Sequence, residues 1–158
     1  MEFLFKHTWI FFIAITIVNA FIFKNKTKIY INKNPELQEG YNSIFKYMII
    51  YGTIPWIIMA IGDLTGLTES TFDFLNPRSL NPIVLIFYLV IFFIWGLGLR
   101  WIYFRNGAEF IERHPGLIQK RGFGGDPENI SAKQIKIFFA LALIGGTSGI
   151  IMMWMMNV

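Results

Sequence analysis

Pro82–Phe104, PIVLIFYLVIFFIWGLGLRWIYF, decides the fold. Its seventeen residues from Ile83 to Leu99 carry no charge, and Arg100 is the first ionised side chain. At about 1.5 Å per residue, a helix over that run and its aromatic flank crosses a hydrocarbon layer of about 30 Å. Soluble strands are shorter, and soluble helices keep a polar face that this stretch lacks. Residues 3–23, 43–62 and 135–156 have the same character. The reading is an all-α integral membrane protein: one domain over residues 1–158, with four transmembrane helices packed as a small bundle. The third span, 82–104, is expected to extend as helix into the cytoplasm, because Arg105–Glu109 and Glu109–Arg113 are i,i+4 pairs ahead of the stop at Pro115-Gly116.

Composition agrees. Apolar residues make up 54 % of the chain and charged residues 15 %, with a mean hydropathy of +0.50. Soluble domains carry about 25 % charged residues, so the deficit points to lipid. Seventeen Phe and five Trp suit a bilayer core and its interfaces. The absence of Cys rules out disulfides, thiolate metal sites and Cys nucleophiles. The net charge of +4 lies beside the apolar spans, so anionic headgroups are its natural partner and no nucleic acid is expected.

Along the chain, Lys6 and the apolar run after it also resemble a signal peptide, but the run reaches Phe23 without a small-residue cleavage site, Asn19-Ala20-Phe21 being a poor substitute. A retained span is favoured. Residues 24–40 read as a polar connection in which Asn34-Pro35 starts a short helix that Gly40 interrupts. Pro55 predicts a kink near Tyr51 in the second span. In the loop 63–81, Phe72, Phe74 and Leu75 are placed to dip into the membrane interface. Asn81-Pro82 opens the third span, and Ser131 with Gln134 forms a capping box for the fourth.

Charge sets the expected orientation. Lys24, Lys26, Lys28, Lys33, Lys46, Arg100, Arg105, Arg113, Lys120, Arg121, Lys133 and Lys136 fall on the side of the first and third loops; only Lys6 and Arg78 fall on the other. Twelve against two is a strong positive-inside bias, which puts both termini outside the cytoplasm of a bacterial inner or plasma membrane.

Several residues invite chemistry. Arg100 lies on the ladder Tyr88–Phe92–Gly96–Arg100, where Gly96 permits close approach. With Lys46 and Asn19 at similar depth it forms a candidate site for an anionic lipid headgroup or other anion. The plainer reading, that both cations snorkel and Asn19 bonds between helices, is favoured. Ala142, Gly145, Gly146 and Gly149 make small-xxx-small pairs suited to helix packing, with self-association or hinging as alternatives. Glu109, Glu112 and His114 suggest acid–base chemistry or a metal, but Glu112 and His114 do not share a helical face and a solvated helix end fits better. Gly122-Phe-Gly124-Gly125 lacks the lysine and spacing of a phosphate loop and reads as a connector. Pro55, with Gly52 and Thr53, fits a kink better than an unwound substrate path. Met152, Met153, Met155 and Met156 form an adaptable helix end.

No catalytic residue, metal site or cofactor is therefore nominated. Spans without central charges offer no ion path or proton relay, which favours a non-enzymatic protein acting through protein or lipid contacts: an accessory, assembly or immunity-type subunit, as a homo-oligomer or within a larger membrane complex. An oligomeric channel or transporter subunit is the second reading, and a membrane enzyme acting on lipid headgroups through Glu109, Glu112 and His114 the third.

Overall fold

The computed structural model describes residues 7–120 and 128–155; Phe3 to Lys6 of the first expected span, the Gly122–Gly125 connector and Met156 lie outside the described residues. Among the described residues five helices follow in order: α1 Thr8–Lys33, α2 Gln38–Leu64, α3 Pro82–Phe104, α4 Gly107–Arg113 and α5 Ala132–Met155. All but α4 are long and apolar enough to cross a membrane, so the chain is an all-α bundle of four such helices. They run up and down, leaving two ends. One carries the α1–α2 turn and the segment between α3 and α5; the other carries His7, the α2–α3 connector and the end of α5. Gln119–Lys120 (β1) and Glu128–Asn129 (β2) pair antiparallel in the α4–α5 segment.

The largest departure from expectation is α1. Residues 24–33 do not form a polar connection but continue the helix. No Pro or Gly interrupts them, and Thr27, 2 % exposed, satisfies its hydroxyl on the Lys24 carbonyl at 3.0 Å. One turn on, Tyr30 stacks with Tyr41 of α2, ring centres 6.5 Å apart. The helix stops at Asn34, whose extended backbone (φ −143°) is what a following proline demands. Pro35–Leu37 form one 3-10 turn that leads into α2.

Gly40 does not interrupt that helix. It provides clearance: a β-carbon there would collide with the His114 ring. Farther along, α2 remains helical through Pro55. Proline removes one backbone donor from the ladder, and the Thr53 hydroxyl bonds the nearby Ile49 carbonyl at 2.7 Å. This stretch lies against α1, with Phe12 and Trp56 stacked at 4.2 Å and Gly52 close to Thr16.

The α2–α3 connector is a built structure. Ser70 and Asp73 form a reciprocal capping box over the 3-10 turn Thr71–Leu75. Phe72 and Leu75 are exposed, but Phe74 turns inward and is 1 % exposed. It fills a core of Ile58, Met59, Ile83, Val84, Phe87 and Tyr88, and Tyr88 donates its hydroxyl hydrogen to the Phe74 carbonyl at 2.8 Å. At the other end, Ile102, Ala108, Ile130 and Ile135 form a smaller core between α3, α4 and α5.

The third span does lead into further helix, after a break. Arg105 leaves helical geometry and Asn106 adopts the left-handed conformation, φ +54°. Asn tolerates that region better than most residues. Gly107 then passes so close to the Trp101 carbonyl that a β-carbon would lie 2.7 Å from its oxygen. As expected, Asn81 caps α3 by accepting from the Ile83 amide at 3.1 Å, and the Ser131–Gln134 box precedes α5.

Candidate functional site

Arg100, Lys46 and Asn19 are all exposed, and among the described residues no hydrogen bond or ion pair joins them. Lys46 opens instead onto a shallow groove of about 610 Å³ shared with Glu36, Glu39 and Asn42. The two carboxylates that line the same groove, Glu36 and Glu39, oppose an anion there.

The small residues separate into two kinds. Gly146 abuts α3, where a β-carbon would lie 2.6 Å from the Trp95 ring, and Gly98 meets Phe139 of α5 in the same way at 3.0 Å. Gly96, Gly145 and Gly149 have open space where their side chains would be, and Ala142 is exposed. Among the described residues, therefore, Gly146 takes part in the α3–α5 contact while Gly96, Gly145 and Gly149 leave a bare backbone surface.

The acid and histidine group after the third span comes apart. Glu112 is exposed. His114 is 8 % exposed, stacks on Phe110 at 3.9 Å and meets Tyr41 edge-on at 5.1 Å. Its Nδ1 lies 2.7 Å from the Phe110 carbonyl, and Tyr41 donates to the Pro115 carbonyl at 2.7 Å. Tyr30 covers the turn at Gly116, φ +84°. His114 is thus part of an aromatic knot joining α1, α2 and α4, whereas the expectation was a solvated helix end.

Glu109 faces the other way. Its expected partners were Arg105 and Arg113 on its own helix; its ion pair is with Lys136 of α5, at 2.7 Å. That hydrogen bond, more than any other influence, holds its carboxyl below the usual carboxylate pKa. Beside the pair, Tyr103 donates to the Lys136 carbonyl at 2.7 Å and clamps the end of α3 to α5. Together these residues frame a groove of about 580 Å³ that continues along α5 past Lys133, Ile137 and Leu141.

A second polar cluster lies at the opposite end. His7 Nδ1 stands 2.5 Å from Asp63 Oδ2, and Trp9 donates to the same oxygen at 2.8 Å. The Asp63 side chain is 5 % exposed, so the cluster is an inward latch between the start of α1 and the end of α2. An antiparallel hairpin of the first two spans juxtaposes such residues; that was the available signal for it. The described residues contain no group of three or more His, Asp or Glu side chains placed to hold a metal.

Compared with known protein families, curated proteins and solved structures, the chain matches none.

Proposed function

We propose that this chain is a non-enzymatic subunit of a larger membrane assembly, held to its partner by the bare faces of α3 and α5. One observation carries the reading: Gly96, Gly145 and Gly149 sit in helices with nothing among the described residues occupying the space beside them. Glycine inside a helix costs about 0.5–1 kcal/mol relative to alanine. Elsewhere in the bundle that cost is offset by close approach: Gly52 to Thr16, Gly62 to Phe74, Gly98 to Phe139, Gly146 to Trp95. In lipid, association relies on packing, and small residues let backbones approach. A helix from another membrane protein, a second copy being the simplest case, supplies that packing at the open glycines. Helix α5 fits the role, with Ile135 its one buried residue. The charge bias of twelve against two supports an orientation with both termini outside the cytoplasm, and a bacterial inner or plasma membrane as the setting.

Extraction of native membranes into polymer-bounded discs, followed by mass measurement, tests this. The expected particle contains protein beyond one 18.4 kDa chain. A particle with one copy and lipid alone would remove the basis for the proposal.

A further inference from the structure

The groove between the end of α3 and the start of α5 has a polarity gradient along its length. Lys133, Lys136, Ile137, Ala140 and Leu141 all line it, and their spacing of three and four residues puts them on one face of α5. From Lys133 to Leu141 the helix rises about 12 Å, comparable to the distance from a phosphate to the upper part of an acyl chain. The two lysines are not equivalent. Lys136 is neutralised by Glu109 at 2.7 Å. Lys133 is exposed and has no ion pair among the described residues. The groove therefore carries one surplus positive charge at its mouth and an apolar wall below, and the Tyr103 hydroxyl bond to the Lys136 carbonyl fixes its width.

We infer that this groove binds a glycerophospholipid, with the phosphodiester at Lys133 and one acyl chain along Ile137, Ala140 and Leu141. The single surplus charge matches the single negative charge of a phosphodiester. An ammonium at the headgroup level on a flexible stem is suited to hold it. Because the recognised group is the phosphate, phosphatidylglycerol and phosphatidylethanolamine are both ligands. The site lies within one chain and needs no partner subunit, so it stands or falls separately from the assembly role.

The test uses the full chain, purified in detergent and stripped of lipid. Melting temperature and retained lipid mass are followed while dioleoylphosphatidylglycerol, dioleoylglycerol or glycerol 3-phosphate is added. The expected result is a rise in melting temperature with a bound lipid for the phospholipid alone. Lys133→Gln should need at least tenfold more phospholipid for the same rise, as should Ala140→Phe, which fills the apolar end. Lys28→Gln, at an exposed lysine of α1, should respond like the wild type. Lys133 is a surface residue, so its replacement remains informative even if Ala140→Phe fails to fold. An unchanged response in Lys133→Gln would overturn the assignment. So would an equal rise with dioleoylglycerol, which has no phosphate, or with glycerol 3-phosphate, which has no acyl chain.

Discussion

Two seams of the bundle are made of equally apolar helices and are closed in different ways. Between α2 and α3, Ile58, Met59, Ile83, Val84, Phe87 and Tyr88 interlock, and Phe74 folds down from the connector to finish the packing. Between α3 and α5 the contacts are sparser: Ile102 with Ile135 and Tyr103 with Lys136 at one end, then Phe139 at Gly98, Trp95 at Gly146 and Ile150 at the edge of the first core. Hydropathy does not separate these cases, because lipid tails are as apolar as a protein core. Shape does. The first seam is completed within the chain, whereas the second leaves Gly145 and Gly149 bare.

The sharpest way to break this contrast is at Phe74. Phe74→Ala should cost about 3–5 kcal/mol, the range for deleting a buried aromatic ring. Phe93→Ala, on a side chain of α3 that is 60 % exposed, should change the melting temperature in detergent little. Equal losses would mean that the α2–α3 seam is not closed by the connector.

Gly40→Ala comes next. Its β-carbon meets the His114 ring, so overpacking should cost about 1–3 kcal/mol. In a His114→Ala background the loss should shrink, since residues in contact are not additive. A loss independent of His114 would reject the contact as its cause.

Within α5, Gly146→Ala should lower the melting temperature of the isolated chain through Trp95, whereas Gly145→Ala should raise it by up to about 1 kcal/mol in stability, as a better helix former with room to spare. In native membranes Gly145→Ala should weaken assembly. The opposite signs at neighbouring positions distinguish internal packing from a face used by a partner.

The smallest expected effect is at Glu109. Its pKa is depressed by Lys136, so the unfolded chain takes up the proton first as pH falls. The stabilisation is complete above the usual carboxylate value of 4.5 and is lost below it, as pH drops through the folded value. Melting curves on either side of that point should show a shallow acid loss that Lys136→Gln reduces. A profile unchanged in Lys136→Gln would assign the acid limb to other groups.

The spans were legible because uncharged runs such as Ile83–Leu99 have few alternatives, and the Asn81 cap and Ser131–Gln134 box because capping is local in sequence. Residues 24–33 look like a loop locally because of their lysines, while the reasons for helix, Thr27 burial and Tyr30 against Tyr41, depend on a distant segment. Gly40 illustrates the same limit: a glycine needed for clearance looks, without its His114 neighbour, like a helix breaker. The Glu109–Lys136 and His7–Asp63 pairs join residues 27 and 56 positions apart, beyond any local pattern. The groove at Lys133 depends on the first of these pairs and was hidden with it.

Site-specific photo-crosslinking along α5 in intact membranes tests the central claim most directly. A photoreactive residue is placed singly at Ala142, Gly145 and Gly149, and at Ile144 and Ile151 for comparison. The account predicts protein crosslinks at Ala142, Gly145 and Gly149, with Ile144 and Ile151, about half a turn away, yielding lipid adducts. Lipid adducts at all five positions would show that α5 faces only the bilayer and would contradict the claim.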